Sequence, residues 1–506
     1  MLTVTNLEKH DWASMPLDEM AFGNAMDCDF TLRAWNILSG DIKKLGLYPV
    51  YHLLLKDIAV ILGEVENTGI KIDDKYLKVL EEKLVERIAT NEKELEELSP
   101  LDGKVNPNSI VDLGKVLFSN EGFGLVATEF SKKTKKPSIT EEHLKTIRKN
   151  ITDKKSIKFI DSLLRYKTQT KQYRTYVKGV EAALKWNEDG RIYSSYNFAS
   201  TVTGRLSCSL YSAGPSQRKG VSFHTLPRPT SDDVNIRKLM IADEDKVFIT
   251  ADFSTAELRV LAQCSKDKKL IHAFNTGQDL HKYTASLIYG KPVSDISKKE
   301  RQIAKSVSFL IVYGGGPKKL SQQIGTSIGY AQGIFDAYQT SFPKVFQWIE
   351  FVNGFIEQNG YATSLFGRRR NLPNVNSPIR KYKYRAFRQG MNFIIQSSAS
   401  DIMLHAIKRF SNNIQDSKLQ AQILATVHDS VEVQCSLDDV DRVVHYLKED
   451  LTSIEDFKTN YNLNFTVPFE VDIEIGNSFG DGIPAELDDN GFLVNKIEIL
   501  KHVQNS

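Results

Sequence analysis

The N-terminal part of the chain has the apolar and polar pattern of helices. From about residue 48 to 98, apolar residues recur every three or four positions among many Glu and Lys residues, as in KYLKVLEEKLVERIATNEKELEEL. A break at residues 99–103 precedes NPNSIVDLGKVLFSN, in which Asn108 or Ser109 is the candidate N-cap of a further helix. We therefore predict helices on both sides of this break.

Two later segments have the pattern of short strands that end at a carboxylate. Residues 247–250 are β-branched or apolar, Asp252 follows them, and a helical pattern begins near Ala256. Residues 419–435 combine an apolar strand, a tight turn at His428 and Asp429, and an alternating strand, which together predict a β-hairpin. Asp252 and Asp429 are 177 residues apart in sequence and could meet on neighbouring strands of one sheet.

Such a pair of carboxylates suits a site for two Mg²⁺ ions about 4 Å apart, which stabilise the attacking and leaving oxygens of a phosphoryl transfer. Mg²⁺ keeps waters and substrate oxygens as ligands, so two aspartates can suffice. Either aspartate alone would more often be a turn or cap residue. From the pair alone, a two-metal site and two ordinary turn or cap residues both remain open.

A third segment, KKERQIAKSVSFLIVYGGG, predicts a helix with a chemically graded face. Arg301, Lys305, Phe309 and Tyr313 follow one another in steps of four, which turn about 400° on a helix and so form one slowly drifting stripe. The glycines at 314–316 predict the end of the helix. The two cations could hold a triphosphate and the two aromatic rings a sugar and a base. The alternative is an amphipathic helix with its aromatic residues in the core.

Composition narrows the class of protein. The 506 residues are 41% hydrophobic and 25% charged, which excludes a disordered chain, a collagen-like fibre and a small disulfide-stapled scaffold. The four cysteines form no C-x-x-C pair, which argues against a structural zinc site. No apolar run approaches 18 residues and no secretory signal is evident, so we expect a soluble cytosolic protein without a membrane partner.

The net charge of +3 hides two strongly basic segments. Residues 132–185 contain 16 Lys or Arg against five Asp or Glu, and residues 366–388 contain eight Lys or Arg and no acidic residue. Aromatic residues are interleaved in both segments. Either segment alone is more often a solvated face, but together they favour nucleic-acid binding, in which Lys and Arg neutralise phosphates and aromatic rings stack on bases.

Taken together, these segments resemble the family A DNA polymerases, the family of bacterial DNA polymerase I. DFSTAELR is similar to the family's motif A, RQIAKSVSFLIVYG to motif B and VHDS to motif C, in the family's order and spacing. TVTGRLS, DLHKYTA, FGRRRNLP, RQGMNFIIQSSASDIM and VPFEVDIEIGNSFGD also fit the family. The resemblance covers about residues 15–481.

The resemblance implies a two-metal catalytic centre. Asp252 and Asp429, assisted by the Phe253 carbonyl, would bind two Mg²⁺ ions, for which Mn²⁺ would substitute. Lys305 would contact the incoming phosphates and protonate the leaving pyrophosphate. Asp252, Asp429 and Lys305 would thus be the catalytic residues.

The resemblance also implies contacts to the nucleotide and to DNA. Besides Lys305, the residues expected to bind the nucleotide are Arg301 and His281 at the phosphates, Phe309 at the sugar, and Tyr313 with Glu257 at the barrier that rejects a ribose 2′-hydroxyl. The residues expected to hold the primer and template are Arg205, Arg368, Arg388, Asn392, Gln396 and His428.

The implied fold is an α+β right hand with an antiparallel palm sheet and mainly helical fingers and thumb. We expect a remnant of an exonuclease-like domain at 1–45, the thumb with its approach helices at 46–185, the palm at 186–261 and 396–481, the fingers at 262–395, and a C-terminal tail at 482–506. The basic segment at 132–185 falls in the thumb, where a polymerase grips the duplex backbone without reading its sequence.

The implied function is template-directed DNA synthesis, in which dNTPs extend a primer 3′-hydroxyl on a primer-template DNA and pyrophosphate is released. The compartment would be the cytoplasm of a bacterium or of an infected host cell. The alternative is a single-subunit RNA polymerase-like nucleotidyltransferase, a class that also has His-Asp-Ser in motif C. Glu257 argues against it, because RNA polymerases keep that position small so that the 2′-hydroxyl fits.

Two departures from the family pattern bear on the metal site and on proofreading. Ser430 stands where members usually have Glu, so we expect activity to survive, with metal affinity or fidelity open to change. PLDEMAFGNAMDCDFTLRAW resembles the end of a 3′–5′ exonuclease domain, with Asp27 in its last motif, but the earlier motifs are absent. We expect no intrinsic proofreading: it is either lost or supplied by a separate exonuclease polypeptide that docks onto residues 1–45.

Overall fold

The elements of the fold follow the apolar patterns closely in the described part of the chain. The computed structural model describes residues 14–101, 105–131, 134–210, 220–227 and 234–505. The predicted remnant at 1–45 and the basic segment at 132–185 each begin with residues outside these ranges, 1–13 and 132–133 respectively.

The N-terminal block is helical, as predicted. Its helices are α1 Leu17–Lys44, α2 Tyr48–Val50, α3 Lys56–Thr68, α4 Asp74–Leu98, α5 Ile110–Phe118, α6 Glu141–Asn150, α7 Lys154–Lys171 and α8 Lys178–Leu184. Short π-helical stretches, Tyr51–Leu55 and Gln172–Val177, join α2 to α3 and α7 to α8. Ser109, one of the two predicted caps, accepts a hydrogen bond from the Asp112 amide at 3.2 Å and so begins α5.

The helical pattern of residues 48–98 needs one correction, because a strand interrupts it. α3 ends at Gly69, whose φ of 61° most side chains avoid, and strand β1, Ile70–Ile72, follows before α4. Ile70 and Ile72 are buried, and β1 pairs with two strands that are distant in sequence. Contacts between distant segments therefore stabilise this strand, and local periodicity does not reveal them.

The remaining elements alternate between strands and helices. The strands before the middle helices are β2 Arg191–Ile192, β3 Ser194–Asn197, β4 Ser207–Leu210, β5 Met240–Ile241 and β6 Lys246–Phe253. The middle block contains α9 Ala256–Ser265, α10 Lys268–Asn275, α11 Leu280–Tyr289, α12 Lys298–Val312, α13 Pro317–Ile324, α14 Ile328–Ser341, α15 Pro343–Asn359, β7 Tyr361–Thr363, β8 Arg369–Asn371 and α16 Arg380–Asp416. The last block contains β9 Ala421–Val427, β10 Ser430–Ser436, α17 Val440–Thr452, α18 Glu455–Tyr461, β11 Val471–Gly476, β12 Ile483–Pro484 and α19 Lys496–Asn505.

A five-stranded antiparallel sheet organises the second half of the chain. Its order is β12-β11-β6-β10-β9, so β6 lies at the centre. The register sets Asp252 of β6 opposite Ser430 of β10 on one side and opposite Asp472 of β11 on the other. The expectation that Asp252 and Asp429 meet on neighbouring strands is confirmed, because Asp429 immediately precedes β10.

The two largest apolar cores of the described structure hold most of the helices. One buries the sheet against α9, α16 and α17, and a second lies among α4, α5, α6 and α7. Helix α16 is 37 residues long and its buried residues run from Ala386 to Ser411, so it passes without a break through the predicted boundary between residues 395 and 396. The domain boundaries stay predictions.

The fold class is α+β, as predicted, with antiparallel sheets, the largest of five strands, among mainly helical blocks. Among the helices of the described ranges, none is both long and apolar enough to cross a membrane.

Candidate active site

A cleft of about 810 Å³ lies between the ends of β6 and β10 and the helix α12. It brings together all three segments that the sequence singled out. The predicted site residues that line it are Arg205, Asp252, Phe253, Glu257, Lys305, Phe309, Tyr313, His428 and Asp429.

Asp429 stands in a two-residue hairpin turn between β9 and β10. Val427 and Ser430 pair across the turn, and His428 takes a φ of 61°, a conformation that glycine usually supplies in such turns. The Phe253 amide donates to the Asp429 carbonyl oxygen at 3.0 Å, which ties the turn to the end of β6. The backbone thus holds Asp429 next to Asp252 while its side chain stays 40% exposed to the cleft.

This donor set fits a divalent cation that prefers oxygen. Asp252 is exposed at the end of β6, and Asp429 and the Phe253 backbone lie beside it. Within the described ranges, no group of three or more His, Cys, Asp and Glu side chains is arranged to hold a metal by itself. An ion here would therefore complete its shell with water and substrate oxygens, which is the habit of Mg²⁺.

A buried arginine secures the chain immediately after Asp252. Arg259 is only 3% exposed, donates to the Ser254 carbonyl at 2.9 Å and pairs with Glu470 just before β11. It thereby fixes the sharp turn between β6 and α9, where Thr255 has a φ of 56°. Arg259 was not predicted from the sequence, although it ends the segment DFSTAELR. A cation among apolar helix positions was the local pattern that could have indicated it.

Helix α12 presents most of the predicted stripe to the cleft. Lys305 is exposed there, Phe309 is half-buried, and the Tyr313 ring stands at the far end. Tyr313 also ends the helix, and Gly314 follows with a φ of 63°, so the predicted glycine stop is confirmed. Three residues of the stripe therefore line the cleft, and its role in binding a nucleotide stays a prediction.

Two residues predicted at the phosphates lie just outside this cleft. Arg301 lies further back along α12 and pairs with Asp279 at 2.7 Å. His281 is 4% exposed, and its ring lies 6.2 Å from that of Phe309. Burial lowers the pKa of His281 to about 4, and the cations Lys305 and Arg301 act in the same direction. At neutral pH this imidazole is uncharged, so it could contact a phosphate only by a hydrogen bond.

A buried carboxylate forms the wall of the cleft below Tyr313. Glu257 is 5% exposed and accepts hydrogen bonds from Arg205 at 2.6 Å and from the Tyr313 hydroxyl at 3.4 Å. The Gln396 side chain lies close to both Glu257 and Tyr313. Burial raises the pKa of Glu257, while the Arg205 guanidinium lowers it. Arg205 also lies 3.7 Å from Asp429, so one cation links this wall to the paired aspartates.

Comparison with known proteins decides the family. The model of DNA polymerase family A matches residues 74–481, which is most of the chain.

The chain belongs to DNA polymerase family A.

Relatives within family A support this assignment and the fold. The chain is 30% identical over 445 residues to the thermostable DNA polymerase I of Thermus aquaticus, covering 88% of this chain and 49% of that protein. It is 31% identical over 435 residues to DNA polymerase I of Bacillus subtilis (strain 168), covering 85% and 46%. It also matches the POL domain of Pol1 from M. smegmatis, in complex with DNA primer-template and dNTP, with a TM-score of 0.78 at 25% identity, covering 89% of this chain and 74% of that one.

These family A matches confirm the predicted fold class. The chain spans about half the length of the curated relatives it matches.

Three residues expected to contact DNA are not among those that line the cleft. Arg388 is exposed and lies against Gly314 so closely that a side chain added at Gly314 would overlap it. The Asn392 amide nitrogen is buried and makes no hydrogen bond within the described structure. Arg368 is 14% exposed and pairs at 2.8 Å with Asp401, which is fully buried. Their DNA contacts stay predictions.

The sequence analysis missed several residues that line the cleft. Arg237, Asp472 and Glu474 complete its sides, with Asp472 directly opposite Asp252 in the sheet. The alternation of acidic and apolar residues in VDIEIG was the signal that could have indicated an acidic strand face for the two carboxylates. Nothing local indicated Arg237.

The Arg368–Asp401 pair yields a test of the role of Arg368. We expect Arg368→Met to lower the free energy of unfolding by about 3 kcal/mol, because it leaves a buried carboxylate without its cation. The exposed Arg385→Met, on α16, should leave stability unchanged. Denaturant unfolding and DNA titrations over a range of salt would measure both variants. If Arg368→Met keeps full stability but reduces the salt dependence of DNA binding by about one phosphate contact, the arginine holds DNA instead.

Proposed function

We propose that this chain is a template-directed DNA polymerase that extends a primer 3′-hydroxyl with dNTPs and releases pyrophosphate. One observation carries the proposal: Asp252 and Asp429 meet in the same cleft as Lys305, Phe309 and Tyr313 of α12. Paired carboxylates that face a cation and two aromatic rings match the needs of phosphoryl transfer to a nucleotide. A family A relative solved with DNA primer-template and dNTP supports it further.

Asp252, Asp429 and the Phe253 carbonyl would hold two Mg²⁺ ions, or Mn²⁺ in their place. Bound there, the ions would supply the positive charge that stabilises the attacking and leaving oxygens. Both carboxylates are exposed to the cleft, and the hairpin turn fixes their backbones before any substrate arrives. This preorganisation is how a protein contributes most to phosphoryl transfer.

The side chains of α12 would bind the nucleotide. The Lys305 ammonium, exposed in the cleft, would neutralise the triphosphate and give its proton to the pyrophosphate as the bond to the α-phosphorus breaks. Phe309 would pack against the sugar. Arg301 would contact the phosphates either after its ion pair with Asp279 breaks or while that pair is kept. His281 would donate or accept a hydrogen bond in its neutral form.

Glu257 would exclude ribonucleotides. Its carboxylate is buried, and one of its oxygens accepts from both Arg205 and the Tyr313 hydroxyl, so it cannot easily move away from a ribose 2′-hydroxyl. An enzyme that uses ribonucleotides would need space at this point. The observation favours dNTP use over the alternative of an RNA polymerase.

The residues around this centre would guide DNA. His428 adjoins Asp429 in the turn and its ring lies 4.9 Å from that of His224, whose pKa burial lowers to about 4. His428 would thus present an aromatic edge to the primer end. Arg205, Gln396, Asn392, Arg388 and Arg368 would line the path of the nascent pair, and the basic residues of 132–185 would grip the duplex backbone. A cytoplasmic location stays a prediction.

We also propose that the chain does not proofread by itself. Asp27, which stands in the last motif of the exonuclease-like segment, lies exposed on α1, a helix without a single buried residue. Along α1, at least half of the surface of each of the large apolar side chains Phe22, Phe30 and Ile37 is exposed. A separate exonuclease polypeptide docking there would cover them.

Asp429→Asn should abolish primer extension, with a loss of at least about 10³-fold in kcat, because the amide carries no charge for the ions. DNA affinity should change little. Asp438→Asn, an exposed aspartate near the far end of the same hairpin strand, is the matched control and should extend primers like the wild type. Single-nucleotide incorporation by rapid quench measures all three proteins, and unimpaired extension by Asp429→Asn would contradict the proposed metal role.

Glu257→Ala should raise the efficiency of rNTP incorporation at least about tenfold relative to dNTP, since it opens space for the 2′-hydroxyl. The exposed Glu350→Ala on α15 should keep the wild-type ratio. The kcat/KM values for dCTP and rCTP on one primer-template give both ratios. A wild-type chain that prefers rNTPs would support the RNA polymerase alternative instead.

The purified chain should leave a mismatched primer intact in the presence of Mg²⁺. Asp27 as the one carboxylate of an exonuclease motif cannot hold two ions for hydrolysis. Gel analysis of an end-labelled mismatched primer measures this, with Asp429→Asn included so that reversal of synthesis is not mistaken for hydrolysis. Metal-dependent degradation that Asp27→Asn removes would show that the chain proofreads after all.

A further inference from the structure

A buried carboxylate lies in the sheet two positions further along the β6–β10 ladder from the metal-site aspartates. Glu432 stands in β10, three residues after Asp429, and is fully buried. Alternate residues of a strand face the same side of a sheet, so Glu432 shares its face with Ser430. The register pairs Glu432 with Thr250 of β6, two residues before Asp252.

The two oxygens of Glu432 bond to two different strands. The Ser430 hydroxyl donates to Oε1 at 2.6 Å, and the Thr250 hydroxyl donates to Oε2 at 2.6 Å. Ser430 immediately follows Asp429, and Thr250 lies on the same face of β6 as Asp252. One carboxylate therefore fastens the strand of each metal-site aspartate to the other.

This link lies where the backbone ladder ends. β10 begins at Ser430 and Asp429 lies in the turn before it, so the ladder between β6 and β10 ends beside the two aspartates. The Thr426 hydroxyl adds a bond to the Ser430 carbonyl at 3.0 Å. Side-chain bonds at a strand end restrict the fraying that would otherwise vary the separation of Asp252 and Asp429.

Burying a carboxylate at this position costs free energy, so its presence calls for a functional explanation. The neighbours on the opposite face, Val431 and Val433, are apolar, and an apolar residue would also fill the place of Glu432. Burial raises the pKa of Glu432 to about 7. The hydrogen bonds from Ser430 and Thr250 and the positive charge of Arg237 oppose this rise. Buried acidic groups that persist against such a penalty commonly serve a site.

We propose that Glu432 is a positioning residue: through Ser430 and Thr250 it sets the separation of Asp252 and Asp429 and thereby the affinity for the metal ions. The inference rests on the proposed function, because it assigns Glu432 to the same centre. Groups that orient metal ligands from behind typically change metal affinity or activity 10–100-fold when they are altered.

Glu432→Gln tests the proposal with little change in size. The amide has a single acceptor oxygen, so it can accept only one of the two hydroxyl bonds. We expect the Kd for Mn²⁺, measured by electron paramagnetic resonance with primer-template and without nucleotide, to rise about tenfold. In single-turnover extension, kcat should fall by a similar factor, while the Kd for DNA and the KM for dNTP stay within twofold.

The matched control is Gln434→Met. Gln434 lies on the same face of β10, is also fully buried, and bonds to Asp243 and Gln422 away from the aspartates. Its substitution should lower the Tm as Glu432→Gln does but leave Mn²⁺ affinity unchanged. Equal effects of both variants on Mn²⁺ affinity, or no effect of Glu432→Gln, would overturn the proposal in favour of a merely structural role.

Removing the donors tests the same link from its other end. Ser430→Ala and Thr250→Val each delete one hydroxyl and leave the carboxylate, so each should weaken Mn²⁺ binding several-fold. The double variant Ser430→Ala/Glu432→Gln should bind Mn²⁺ no more weakly than Glu432→Gln alone, because both substitutions act on one hydrogen-bond network. If Glu432→Gln fails to fold, these two variants decide the question, and full additivity or unchanged Mn²⁺ affinity would contradict it.

Asp429→Asn separates this inference from the proposed function. If Asp429→Asn loses Mn²⁺ binding and extension while Glu432→Gln keeps both, only the positioning role fails. If Asp429→Asn itself binds Mn²⁺ and extends primers like the wild type, the proposed function fails as well.

Discussion

The pairing of β6 with β10 is the constraint on which the rest of the structure depends. It brings Asp252 and Asp429 together across 177 residues of sequence, and the bond from the Phe253 amide to the Asp429 carbonyl fixes their ends. A slip of one residue would turn the side chain of Asp252 to the opposite face of the sheet. Arg259 and the turn at His428 both act to prevent such a slip.

Opposite charges lie close together in the cleft before any substrate binds. Arg205 pairs with the buried Glu257 and lies close to Asp429, while Lys305 lines the same cleft. In a site partly shielded from water such charges interact more strongly than in solution. The wall that would exclude a 2′-hydroxyl is therefore rigid because of the same cation that links it to the aspartates.

Local patterns predicted the parts of the site that single segments build: the hairpin at Asp429, the strand that ends near Asp252, and the stripe of α12. Periodicity and turn chemistry are properties of neighbouring residues, so they are visible in one sequence. The partners of Arg368 and Glu432 are not, because they lie 33 and up to 182 residues away and become neighbours only in the folded chain. The strand β1 was missed for the same reason.

The central claim is that the β6–β10 pair is a metal centre for nucleotide transfer. The most direct measurement is a crystal structure of the chain with primer-template, a non-hydrolysable dNTP and Mn²⁺, with anomalous scattering at the manganese edge. We expect anomalous peaks in contact with the carboxylates of both Asp252 and Asp429 and with the nucleotide phosphates. Ordered nucleotide and DNA with manganese bound elsewhere, and with neither carboxylate in contact with it, would contradict it.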